Sequence, residues 1–234
     1  PVSETEDAGE ALADASAKSI AVLPFVNMSS DPEQNYFSDG ISEELLNVLT
    51  KLPNLQVVAR TSSFQFKGQN LDIALIAKQL NVNHILEGSV RKGIDSVRVT
   101  AQLIQANTGY HLWSENYDRP LEDILAVQDD IAAQIAGALS VQLVLRSGTT
   151  YTPKVPKPAS LDAYEAFIKG RYLIHSDDPD NLVEAIAELQ RALELDPSYA
   201  AAHAQLATAK LLNAARNQDG PTTEAAQAEA LEHI

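Results

Sequence analysis

Residues 26 to 38, VNMSSDPEQNYFS, follow an apolar run and lead into a helical pattern. Open α/β sheets hold ligands at that place, beyond the carboxyl end of a strand and before a helix. Asn27, Ser29, Asp31, Glu33 and Tyr36, with Asp39 just beyond, could therefore hydrogen-bond a small ligand or dock a protein partner. A phosphate fits poorly, because Asp31, Glu33 and Asp39 would repel it and the loop offers neither a lysine nor a glycine before Gly40 to cradle it. The same residues also have a structural reading. Tyr36 and Phe37 would pin the loop to the core, Ser38 or Asp39 would cap the helix, and Glu43 and Glu44 would lie in its first turns, where the helix dipole favours acid.

A second candidate surface comes from RTSSFQFKG, residues 60 to 68, where Arg60, Ser62 and Ser63 could meet a polar ligand. The alternative is a turn, with Phe64 and Phe66 packed into the core. Ser62 and Ser63 have no histidine near them in sequence and no Gly-x-Ser-x-Gly elbow, which argues against a hydrolase triad. His111, Trp113 and Tyr117 alternate along a strand pattern and are expected on one face, as an aromatic platform or packed under a helix. Asp177, Asp178, Asp180 and Asn181 do not make a calcium loop, because Pro179 interrupts them and Glu184 is too near, so they read as a helix cap. The five histidines never fall three or four apart with a carboxylate partner, and cysteine is absent, so no zinc site is expected. No catalytic residue, metal or cofactor is assigned.

The elements that position these residues follow from hydrophobic period. Ile20 to Phe25 reads as a strand buried on both faces, with Pro24 near its end. Ile41, Leu45, Val48, Leu49 and Leu52 recur at helical spacing up to Pro53, and Leu55 to Ala59 reads as a second strand, parallel to the first. Ile73, Ile76, Ala77 and Leu80 mark a second helix. Three strands follow: His84 to Arg91, a half-buried one with Val97, Val99, Ala101 and Leu103 alternating, and Tyr110 to Tyr117. From Pro120, the spacing of Leu121, Ile124, Ile131, Ile135, Leu139 and Leu143 predicts a long closing helix. The order is β-α-β-α-β-β-β-α, a mixed-sheet α/β (α+β) domain.

Residues 1–18 are acidic and without period, and residues 147–159 hold three prolines, so both read as linkers around a domain at 19–146. From 160 to 234 alanine, leucine and glutamate dominate. Ala185, Leu189, Ala192 and Pro197 follow the second helix and closing proline of a tetratricopeptide repeat, with Gly170 as the small contact of the first helix. Leu206 and Ala207 give the matching pair of a second, partial repeat, and the array is expected to continue past Ile234 because about three copies are needed to bury a core.

The formal charge of −15, from 17 Lys+Arg against 32 Asp+Glu, argues against nucleic-acid binding by this chain. No apolar stretch reaches the roughly 18 residues of a membrane span. The chain starts at Pro1 and has Met28 as its single methionine, so it reads as a piece of a longer protein.

The segments SIAVLPFVNMSSDPEQNYFSDGISEEL (19 to 45), VVARTSSFQFKG (57 to 68), ILEGSVRK (85 to 92) and VRVTAQLIQANTGYHLWSENYDRPLEDILAVQDDIA (97 to 132) together resemble the TolB amino-terminal-like domain over 19 to about 146. In bacteria such domains commonly precede tetratricopeptide repeats, behind a membrane helix and either a winged-helix DNA-binding domain or a class III adenylate/guanylate cyclase domain. The resemblance implies a periplasmic regulatory piece of a membrane-tethered signalling protein, its membrane helix lying before Pro1. The expected function is thus non-catalytic: sensing and protein-protein contact through the α/β domain and the helical repeats. The alternative is a small-ligand receptor with its site at loop 26 to 38.

Overall fold

The computed structural model of the chain describes residues 18–52, 54–139, 158–176, 178 and 181–216. It divides into two compact units, residues 1–154 and 155–234. The acidic linker before Lys18, Pro53, Leu143, residues 147–157 of the proline-rich linker, Asp177, Pro179, Asp180 and everything after Arg216 lie outside the described residues.

The first unit is built on a mixed sheet of six strands. These are β1 (Ser19–Val22), β2 (Val26–Asn27), β3 (Gln56–Val57), β4 (His84–Lys92), β5 (Ser96–Gln105) and β6 (Tyr110–Pro120). The sheet runs β3-β1-β4-β5-β6, and β2 joins the far end of β4. β1 is parallel to both β3 and β4, whereas β4, β5 and β6 form an antiparallel meander. Four helices complete it among the described residues: α1 (Asn35–Leu49), α2 (Arg60–Phe64), α3 (Ile73–Leu80) and α4 (Ile124–Ala138). Short 3-10 turns at Pro32–Gln34 and Leu121–Asp123 lead into α1 and α4.

The expected order holds with two additions, β2 and α2. The apolar run Ile20 to Phe25 is not one strand. Pro24 has no N–H for the ladder, so pairing lapses after Val22 and resumes at Val26. Phe25, between the two pieces, gives its N–H to Ser42 Oγ of α1 at 2.8 Å instead. The segment after β3 begins as helix α2, where a turn was expected.

The meander has two chemically different faces, because cross-strand partners share a side. On one, Leu86 faces Leu103, Gly88 faces Ala101 and Val90 faces Val99. Phe25 lies on this face, and its bond to Ser42 sets α1 over it; α1 in turn packs against α4. On the other, Ile85 pairs with Ile104 under an apolar cluster of Leu23, Phe66, Ile76 and Val82, but Glu87 with Gln102 and Ser89 with Thr100 are polar.

The second unit holds α5 (Leu161–Ile174), α6 (Asn181–Leu195) and α7 (Ala200–Arg216). Ser160 caps α5 by accepting from the Ala163 N–H at 3.2 Å. Helices α5 and α6 run antiparallel: Ala159 at the start of α5 bonds Asp196 just past the end of α6, and Lys169 pairs with Glu184 and Glu188. Gly170 brings them close, since a Cβ there would sit 2.7 Å from Leu189 Cγ and 3.1 Å from the Ala185 carbonyl. Ala185, Leu189, Ala192, Leu206 and Ala207 are all buried. The turn at Pro197 is held by Asp196, which accepts from the N–H and hydroxyl of Ser198, and these bonds keep its carboxyl below the usual range. Tyr199 then stacks against Phe167 with ring centroids 4.8 Å apart.

Gly88 is where the meander tolerates least. A Cβ there would lie 2.6 Å from a Phe25 ring carbon and closer still to the Thr100 carbonyl. Gly88→Ala is expected to lower unfolding free energy by about 1–3 kcal/mol, the cost of overpacking a filled core, while Gly137→Ala, with nothing within 4 Å of its Cβ position, leaves it unchanged or slightly raised. Urea unfolding followed by circular dichroism checks both.

Candidate functional site

The polar residues of the first unit converge at the carboxyl end of β1 and β3, where α1 begins and α2 lies. Helix α1 is embedded: Ser38, Asp39, Ser42, Glu43 and Glu44 are buried along with its apolar residues. Charges in that setting need partners. Arg60 of α2 pairs with Glu43, and its guanidinium also lies 4.2 Å from the Phe64 ring centroid. Lys67, just past α2, donates to Asp39 Oδ2 at 2.5 Å. Burial pushes the Asp39 carboxyl up from its ordinary value, and the Lys67 ammonium opposes this without cancelling it.

The loop before α1 is closed on itself by hydrogen bonds. Asp31 caps the 3-10 turn by accepting from the Glu33 N–H at 2.9 Å and also accepts from Gln34 Nε2. Asn27 Nδ2 donates to the Asp31 carbonyl and to Asn35 Oδ1, and Asn27 Oδ1 accepts from the Ser29 N–H. Ser29 Oγ accepts from the Lys92 N–H at the end of β4. Lys92 in turn places its ammonium 4.9 Å from the Phe37 ring centroid and 5.9 Å from that of Tyr36. Phe37 is fully buried and Tyr36 half-buried, so the aromatic pair does anchor the loop. Ser38 and Asp39 do not cap the helix. The 3-10 turn continues directly into α1 at Asn35, which leaves both residues inside the helix and buried.

The second candidate surface does not hold together. Ser63 is wholly buried and Arg60 is engaged by Glu43, at the β1 side of the sheet. His111 and Trp113 lie on β6, three strand spacings from β1, about 14 Å. Nor do the aromatics of β6 share one face. The register shifts at Leu112, so Trp113 opposes Leu103 while His111 opposes Ile104 on the other side. Tyr117 is buried on the α4 side, with Trp113 half-buried 6.5 Å from it, and His111 is exposed. Burial and the nearby Glu115 and Asp130 push the Tyr117 phenol up to about 12.

His84 is buried at the start of β4. Burial pushes its pKa down, and its Nδ1 lies 3.0 Å from the Ser19 carbonyl, which can only accept, so Nδ1 carries the proton. Among the described residues no group of three or more His, Asp or Glu is placed to hold a metal ion, and no helix is long and apolar enough to cross a membrane.

The profile of the HilA/YgeH-like transcriptional regulator, second domain, matches residues 16–134, about half of the chain. The chain belongs to this family. A protein of Rhizobium meliloti (strain 1021) named "Putative adenylate cyclase 3" is 43% identical over 206 residues, which is 88% of this chain but 35% of that protein. The chain thus spans about a third of that relative's length. Among solved structures, TolB from Acinetobacter baumannii is similar at TM-score 0.38 and 18% identity, covering 52% of this chain and 28% of that one. Lipoprotein GNA1162 from Neisseria meningitidis is similar at 0.39 and 15%, covering 54% and 99%. These are partial likenesses only.

In this HilA/YgeH-like domain the two polar segments singled out from sequence do meet, but through residues not proposed as a pair. Glu43 was read as a helix-dipole residue and Lys67 as part of a turn. Their partners lie 17 and 28 positions away, so no local spacing announces them. Removing Arg60 takes a cation away from the buried Glu43 carboxylate. Arg60→Ala is expected to cost about 3 kcal/mol of stability, and Arg60→Lys about 1 kcal/mol through loss of the stack on Phe64, both read by denaturant unfolding.

Asp39 gives the domain a pH signature. Its folded pKa lies above its unfolded one, so it contributes most stability below the ordinary carboxylate value of about 4 and loses it as pH rises through the folded value. The unfolding free energy of the wild type minus that of Asp39→Asn should therefore fall as pH rises from about 4 towards neutrality. A flat difference would show that burial does not perturb Asp39.

Proposed function

We propose that this chain is a non-catalytic regulatory and protein-interaction module of a larger bacterial signalling protein. In this reading a TolB-like α/β domain senses or docks a partner, and tetratricopeptide-type helices extend the contact surface. The observation that carries it is the double affiliation of one segment: it belongs to a transcriptional-regulator domain family and recurs, at 43% identity, within a much longer chain named for a cyclase. A domain shared between two such contexts suits a controlling role better than an output role.

The geometry supports the same reading. Where an open α/β sheet commonly takes its ligand, beyond the carboxyl ends of β1 and β3, this domain puts its own ion pairs, Asp39 with Lys67 and Glu43 with Arg60. Groups neutralised by one another inside the fold are poor nucleophiles and bases. The antiparallel α5 and α6, drawn together at Gly170 and closed at Asp196 and Pro197, suit a repeat that stacks on further copies. The parent protein is proposed to be tethered to the inner membrane with this part in the periplasm, and its output to be either transcription or cyclic-nucleotide synthesis.

Two measurements test the proposal together. The purified 234-residue chain, given MgATP or MgGTP, should form no cyclic nucleotide. Replacing it in the full-length parent by an unrelated folded domain should change the parent's output. Product formed by the isolated chain, or an output indifferent to the replacement, would overturn the reading.

A further inference from the structure

The polar half of the second sheet face opens into a cleft of about 450 Å3. Its floor is the row Glu87, Gln102, Ser89 and Thr100 on β4 and β5, side chains that share one face as two cross-strand pairs. Its wall carries the apolar Leu23, Phe66 and Ile76 of the core cluster, with Gln69 and Asn70 beside them. None of the polar loop residues Asn27 to Asp39 lines it; that loop contributes Val26 alone.

Glu87 is the feature that the fold does not use. Its carboxylate is half-buried, yet it makes no hydrogen bond or ion pair among the described residues. Burial pushes its pKa up, and His111, acting through space from β6, opposes this. Among the described residues Gln102 and Ser89, half-buried beside it, have no side-chain hydrogen bond either, whereas the Thr100 hydroxyl donates to Asn116 Oδ1 at 2.7 Å. Lysine is present in the lining, but the Lys67 ammonium is directed to Asp39. Among the described residues the cleft therefore holds one uncommitted anion, the uncommitted polar side chains of Gln102, Ser89 and Asn70, and an apolar patch, in a volume typical of small-molecule sites.

We propose that this cleft binds a small organic cation, an ammonium or guanidinium on a short apolar stem, with Glu87 as counter-ion and Gln102 and Ser89 as hydrogen-bond partners. The stem lies against Leu23, Phe66 and Ile76, which gives hydrophobic contact along its length. The formal charge of −15 draws cations towards the protein and disfavours anions of the same shape. The site stands independently of the interaction reading above, since a docking module without a ligand would still lack an explanation for Glu87.

The test uses the 234-residue chain and four probes of one length: n-hexylammonium, n-hexylguanidinium, hexanol and hexanoate. Calorimetry should show the two cations binding and the alcohol and carboxylate binding at least about tenfold more weakly, with amide shifts at Glu87, Ser89 and Gln102 in NMR spectra. Glu87→Gln should weaken the cations by about tenfold or more without altering the far-UV spectrum. Glu115→Gln, on the opposite face, should leave binding unchanged. Equal binding of hexanol and hexylammonium, or wild-type affinity in Glu87→Gln, would overturn the proposal. So would binding of a capped lysine peptide with none of the free amine, since that would make the cation a partner's side chain.

Discussion

Helix α1 is buried over twelve of its fifteen residues, and three of those twelve are acids. An embedded helix of this kind has no solvent face on which to discharge its polar side chains, so they must be met by other elements. The chain meets two of them with cations carried on one short stretch. Arg60 and Lys67 lie on either side of the end of α2, seven positions apart, and reach Glu43 and Asp39, four positions apart on α1. The two ion pairs hold α2 and its following turn against α1. The same stretch then delivers Phe66 to the core cluster beneath α3, so the polar contacts and the apolar ones position each other.

The sheet adds a second constraint. The α1-side face of its meander is largely apolar near β4, and Gly88 is the position that allows Phe25 to lie close against β4 there. Phe25 can reach that place because Pro24 releases the chain from the ladder between β1 and β2. The Phe25 N–H, freed from strand pairing, bonds Ser42 and so ties the break between β1 and β2 to α1. The other face is covered by α3 over only part of its length, which leaves Glu87 and Gln102 half-buried. One face is sealed and the other open for a single reason: α1 and α4 pack together on the first, whereas α3, eight residues long, covers little of the second.

What could be read from the residues was set by how local its cause is. The alternation of Val97, Val99, Ala101 and Leu103 is a two-residue period, and β5 buries those side chains. The period of Ile73, Ile76, Ala77 and Leu80 likewise needs only neighbours, and α3 spans the same residues. The start of α1 was misplaced because Ser38 and Asp39 are good capping types, while the real initiation comes from Asp31 and Pro32 through a 3-10 turn. The extra residue at Leu112 is invisible to a period-two reading, which is why His111 was placed with Trp113. The ion pairs are set by the crossover from β1 to β3, a long-range fact that no window of sequence contains.

Two carboxyls, Asp39 and Glu87, are held above their ordinary values by the same cause, burial, yet they mean different things. A perturbed carboxyl marks a functional site only when something outside the fold can reach it, since structural ion pairs perturb titration equally well. Asp39 is 3% exposed and meets a lysine of its own chain, so its shift is a cost of embedding α1. Glu87 opens onto a cleft and meets no donor among the described residues. Asp39, one of three carboxyls read from sequence as facing a ligand, is thus paired within the fold. Glu87, which the sequence reading left unremarked within the strand His84 to Arg91, has no hydrogen bond or ion pair among the described residues and lines the cleft.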